Sequence, residues 1–226
     1  MSQSLLDGIR VLDLSQYLPG PSATQMLADM GADVIKIEPP QGDPLLGMSP
    51  LDGGPHGEPF YKAVNAGKSV LRIDLKSEEG KAGFMELLKR ADVVLESYRP
   101  GVMDRLGFTR DVLTDLNPKQ VYCALTGYGQ EGPKSGEGGH DINYIAITGG
   151  LAVSGTSETP VAGWPPAADY TGALNSVNAI LAALIRAQRT GQGAYIDLAL
   201  GGSFMARQPW GLTGECQGKP KSLGQE

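Results

Sequence analysis

Two hydrophobic rhythms alternate along the first two thirds of the chain. Ile9–Leu14, Asp33–Glu38, Ser69–Leu75, Asp92–Glu96 and Val121–Leu125 are short, largely apolar runs and read as strands. Ser22–Met30 instead has helical spacing, with Leu27 and Met30 on one face and Gly31 behind them as a stop. Ser77 stands as an N-cap before EEGKAGFMELLKRA, where a glutamate is expected to complete a capping box. Asn143–Leu151 is predicted helical. Tyr170–Arg189 is the strongest helical pattern, with Leu174, Val177, Ile180, Leu181, Leu184 and Ile185 on or near one face, and Ala194–Leu200 is a last strand. This alternation predicts an α/β fold: an open, mostly parallel, Rossmann-like sheet with flanking helices. In such sheets ligands gather outside the carboxyl ends of the strands, which directs attention to Tyr17–Pro21, Glu96–Gly101 and Gly127–Gly132.

Two stretches break the rhythm. Pro39–Gly67 is polar and turn-rich, and its length predicts a functional or mobile loop; Gly127–Gly139 is a second such loop. The rest is ordinary globular composition, 41% hydrophobic and 19% charged over 226 residues. A net charge of −6 without any Lys/Arg block argues against nucleic-acid binding, so an anionic ligand must be held by a few placed cations. Cys123 and Cys216 lie far apart with no CxxC, which argues against a disulfide framework or zinc site and fits a reducing compartment. Asp7, Arg10 and Asp13 interrupt any leader-like apolar run, and the longest apolar run, Ala179–Ile185, is too short for a bilayer. The expectation is a cytoplasmic protein without metal or membrane.

The candidate chemistry is sparse. Gly127-Tyr128-Gly129-Gln130-Glu131-Gly132 matches GxGxxG after a strand, but Pro133 and further residues of loop character stand where a dinucleotide site needs a helix, so NAD is not expected. A loop whose backbone approaches a ligand closely is the better reading. Arg99-Pro100-Gly101 follows a strand, with Pro100 suited to the first turn of a helix reaching Leu106; the pair reads either as a phosphate site or as a surface arginine in a salt bridge. His140 is a general base, a helix-start residue or a satisfied buried histidine. Asp169, after the apolar approach Trp164–Ala168, opens the strongest helix; it reads equally as an N-cap and as a carboxylate held in a dry pocket.

Taken together, Leu6-Asp7-Gly8-Ile9-Arg10-Val11-Leu12-Asp13-Leu14, Gly20-Pro21, Gly31–Glu38, Asn65, Lys68-Ser69, Tyr98–Gly101, Thr126–Gly129, Gly139-His140-Asp141, Asp169 and Arg189–Gly193 resemble the family III CoA transferases. That group includes alpha-methylacyl-CoA racemase. The resemblance implies Asp169 as the catalytic aspartate and Arg99 near the CoA phosphates. It also implies CoA-lining roles for Tyr17, Leu18, Pro19, Leu71, Ser97 and the Gly127–Gly129 turn. Pro39 stands where many members carry an arginine near the adenine nucleotide, leaving Lys36 as the nearest cation. Members are typically much longer and form interlocked dimers. The expectation is therefore a CoA-binding half over residues 1–200, with 201–226 a helix and polar tail leading towards a missing small domain. A second copy or a complementary chain would complete it.

The resemblance implies one of two reactions on an acyl-CoA. In the first, CoA passes to a carboxylic acid acceptor through an aspartyl intermediate at Asp169. In the second, His140 and Asp169 exchange the α-proton of a 2-methylacyl-CoA; the Gly139–Tyr144 string favours that branch. A third reading is an inactive CoA-binding fragment or subunit.

Overall fold

The computed structural model describes residues 4–48, 57–156 and 158–208. His56, Cys216 and the predicted polar tail lie outside the described residues. Six strands form one wholly parallel sheet in the order β3-β2-β1-β4-β5-β6: β1 Arg10–Leu14, β2 Asp33–Glu38, β3 Ser69–Arg72, β4 Val93–Glu96, β5 Val121–Thr126 and β6 Ala194–Ala199. Leu12 lies between Ile35 of β2 and Val94 of β4, which makes β1 central.

The period-two pattern divides the side chains between two cores. Val11, Val34, Val93, Leu95, Val121, Cys123 and Leu125 face α1 (Pro19–Asp29) and α7 (Ala167–Thr190). Leu12, Leu14, Val94, Tyr122 and Ala124 face Phe84 and Leu88 of α3 (Glu78–Leu88), Met103 of α4 (Val102–Leu106) and Leu113 of α5 (Arg110–Leu116). Burying apolar surface on both faces is what a parallel sheet requires, and near-continuous apolar strands are its signature.

Helix limits depart from the sequence pattern in instructive ways. Ser77 does cap α3, its Oγ accepting from Gly80 N at 3.0 Å, but Gly80 occupies the third helical position and has no side chain to return the bond. The expected capping box is therefore only half present. The Pro39–Gly67 stretch is not plain loop: it holds a 3₁₀ turn, Pro44–Gly47, and helix α2 (Gly57–Val64), whose Tyr61 and Val64 pack against Leu18 and Leu45. α7 buries Ala173, Val177, Ile180, Leu184 and Ala187, while Leu174 and Ile185 lie half exposed. The alanines let α7 approach α1 and β5 closely, so the packed stripe is set by small residues and misses two of the leucine-type positions. Two further helices, α6 (Asp141–Ile147) and α8 (Leu200–Met205), close over the start of α7. Among the described residues no helix is long and apolar enough to cross a membrane.

Candidate functional site

The strand order reverses direction between β1 and β4, so the loops leaving these two strands diverge and open a crevice at their carboxyl ends. A cleft of about 710 Å³ lies there. Gln16 and Tyr17 line it from the loop after β1, Ser97, Tyr98 and Arg99 from the loop after β4, Thr126 and Gly127 from the end of β5, and His140, Tyr144 and Asp169 from α6 and α7. Gln16 N donates to Ser97 Oγ at 3.0 Å, tying the two diverging loops together. Tyr17 has φ 64°, a left-handed conformation rare for a bulky residue, and its ring meets His140 edge-on at 6.1 Å. The tight turn thus presents an aromatic ring at the mouth of the crevice.

Asp169 occupies the third position of α7, not its cap. The residue before the helix is Pro166, which offers no capping side chain. Asp141, the first residue of α6, fills that role from outside: its Oδ1 accepts from Ala168 N at 2.7 Å and from Asp169 N at 3.0 Å. The Asp169 carboxylate is consequently released from capping. Among the described residues no group donates a hydrogen bond to it, and it lines the cleft. Burial, then the nearby charge of Asp141, push it up to about 7.

The glycine turns around the cleft have a packing cause. A methyl group on Gly127 would lie 2.5 Å from the Tyr144 ring, and one on Gly139 would lie 2.8 Å from it. Tyr144 is clamped between them and donates its hydroxyl to Gly139 O at 2.6 Å. The first glycine of the GxGxxG string therefore makes room for a tyrosine, while Gly129 and Gly132 take left-handed turns; the next helix after the string begins only at Asp141. Arg99 reaches into the same loop, Nη1 donating to Gly136 O at 2.7 Å. It forms no ion pair among the described residues, so the salt-bridge reading falls, and among the described residues it is the one Lys or Arg that lines the cleft. Pro100 and Gly101 precede α4 instead of forming its first turn, Gly101 being left-handed at φ 76°.

Of the sequence-predicted residues, Tyr17, Pro19, Ser97, Arg99, Gly127, His140 and Asp169 come together on this cleft. Leu18, Leu71, Tyr128 and Gly129 do not line it. Leu18 is buried against Leu45 and Val64, Leu71 is exposed on the edge strand β3, and Tyr128 packs edge-on to Tyr144. Lys36 requires a correction. Its ammonium is sealed in the interior, 2.8 Å from Ser15 O and 2.9 Å from Asp43 Oδ2, with 1% of the side chain exposed, so it cannot reach a nucleotide. Glu96, which sequence reasoning missed, ends β4 beneath the Arg99 loop; its Oε2 accepts from Tyr98 N at 2.7 Å, and burial pushes it up to about 7. A strand-terminal Val-Leu-Glu is an unremarkable string, and only its burial sets it apart.

Comparison with known proteins bears on this arrangement. The family model described as CoA-transferase family III matches residues 6–224. Succinate–glutarate CoA-transferase of Agrobacterium fabrum is 41% identical over 202 residues, covering 86% of this chain and 50% of that protein. Acetyl-CoA:oxalate CoA-transferase of Acetobacter aceti is 36% identical over 218 residues, covering 93% and 56%. Among solved structures, a CAIB/BAIF family protein from Brucella suis superposes with TM-score 0.90 at 34% identity, covering 99% of this chain and 61% of that one. The chain thus spans about half the length of the curated relatives it matches. It belongs to CoA-transferase family III.

Proposed function

We propose that this chain is the nucleophile-bearing part of a CoA-transferase, and that Asp169 carries CoA from an acyl-CoA thioester to a carboxylate acceptor. The observation behind the reading is the carboxylate of Asp169, freed from helix capping by Asp141 and turned to the switch-point cleft without a hydrogen-bond donor. A carboxylate relieved of its hydrogen bonds and partly dried is a stronger nucleophile than a solvated one.

In this reading an Asp169 oxygen attacks the thioester carbonyl and the C–S bond breaks. The products are a mixed anhydride and CoA thiolate. The thiolate attacks the aspartyl carbonyl of that anhydride, releasing the first carboxylic acid as its anion and leaving an aspartyl–CoA thioester. The acceptor carboxylate then attacks the aspartyl carbonyl and expels the thiolate. The thiolate takes the new acyl group and returns Asp169 to its starting state. Backbone N–H groups of the glycine-rich loop are suited to the developing oxyanion, and Arg99 to a CoA phosphate. The relatives' names support a dicarboxylate acceptor, since succinate, glutarate and oxalate stand in them, while the acyl donor named for one of them is acetyl-CoA.

The test is incubation with an acyl-CoA and a carboxylate acceptor in D₂O, with hydroxylamine trapping and mass analysis of the Asp169 peptide. Acceptor-dependent CoA exchange and a trapped aspartyl hydroxamate are expected. Deuterium entering the acyl α-carbon without an acceptor, lost in His140→Ala, replaces the transfer reading with proton exchange.

A further inference from the structure

Helix α7 begins with an unsolved problem: Pro166 precedes it without a side-chain acceptor, and the amides of its first turn need partners. The partner comes from another element. Asp141 Oδ1 takes two successive amides, one of them the amide of Asp169 itself. A single oxygen bonded to both amides fixes the turn that aims the Asp169 side chain. The arrangement also sets a second anion beside the first, which a serine or asparagine cap would not do.

We infer that Asp141 is a positioning residue for chemistry at Asp169: one oxygen orients the turn that aims the carboxylate, and its negative charge makes that carboxylate a stronger nucleophile. The inference rests on the reading of Asp169 as nucleophile. Other titratable groups share the cleft: His140 before α6 and Tyr144 within it, Tyr17 after β1, Tyr98 and Arg99 after β4, and Glu137 in the glycine-rich loop. Of these and Asp141, only Asp141 adds to the effect of burial on Asp169.

The test separates the charge from the hydrogen bonds. D141N keeps the accepting oxygen and loses the charge; D141E keeps the charge on a longer arm. The readout is a ¹³C NMR pH titration of the full chain labelled at aspartate Cγ, with the Asp169 signal identified by its absence in D169N. The wild-type midpoint is expected at about 7. In D141N it should fall by about one pH unit or more, and in D141E by much less. An unmoved midpoint in D141N overturns the inference. Should D141N fail to fold, D141S retains a capping oxygen without charge and carries the same expectation. The titration needs no CoA. An unmoved midpoint with Asp169 still trapped by acyl-CoA removes this inference alone, whereas a shifted midpoint without trapping removes the nucleophile on which it rests.

Discussion

Two aspartates in this molecule have opposite fates, and the contrast supports the proposal that Asp169 is the one suited to chemistry. Asp13, in β1, is wholly buried and fully satisfied. Its Oδ2 accepts from Thr24 Oγ1 at 2.6 Å and from Lys68 Nζ at 2.9 Å, while Oδ1 accepts from Ser15 N at 2.9 Å and from the Ser15 hydroxyl. Burial alone would raise it, but Lys68 and Lys36, with the hydroxyls of Ser15 and Thr24, outweigh burial and hold it at about 2. Asp169 lies in a less buried place where, among the described residues, no cation pairs with it and no group donates to it; with the anion of Asp141 near it, it is driven the other way, to about 7. A charge-paired carboxylate is locked into the structure; an unpaired one at a cleft remains available to a substrate.

The largest expected break in this contrast is Asp169→Ala. CoA exchange should fall by at least roughly 10³-fold with the fold intact by circular dichroism; exchange that survives removes the nucleophile assignment. Asp13→Asn should do the reverse, leaving Lys68 buried without its anion. A loss of about 3–5 kcal/mol in denaturant unfolding is expected, and a loss under about 1 kcal/mol would show that the cluster is not structural. Gly127→Ala sharpens the site half of the comparison by driving a methyl into the Tyr144 ring. It should cost about 1–3 kcal/mol in unfolding free energy and depress exchange as the ring shifts.

The smallest effect is a pH slope. Asp169 is raised on folding, so its contribution to stability is present below about pH 4 and is lost as pH climbs through about 7. Glu96, also raised to about 7, adds a slope of the same sign. Asp169→Asn removes one of the two. Relative to wild type it should gain on the order of 1–2 kcal/mol above pH 7 and nothing near pH 4, read from urea midpoints at both. Asp13 works oppositely: its contribution is present above about pH 4 and is lost as pH falls through about 2.

The inner strands were legible because burial on both faces leaves an apolar run in local sequence, and β2 has the limits its pattern predicts. Asp169 was legible as a candidate, but its exact office was not. Whether it caps α7 depends on Asp141, 28 residues earlier, and no local pattern reports such a partner. Lys36 misled for the same reason. Its partner Asp43 sits in a turn-rich stretch that reads as loop, so a lysine between two strand-like residues looked free to meet a nucleotide. Helix α2 was hidden because its few apolar residues are set among prolines and glycines that dominate the local pattern. Pairings across long separations decide the site, whereas periodicity records only which way a residue faces.

The edge strand β3 shows where such a long-range pairing leads. All four of its residues are exposed, so little apolar burial holds it to β2. Lys68, immediately before it, is anchored to Asp13, to Asn65 Oδ1 at 2.9 Å and to Pro21 O at 2.8 Å, with a side chain sealed from solvent. The rim of the sheet is therefore riveted to the ground beneath the Tyr17 turn. Peeling β3 away would leave the buried Asp13 carboxylate without its lysine partner, so this margin resists gradual fraying and lets go, when it does, together with the ground beneath the crevice.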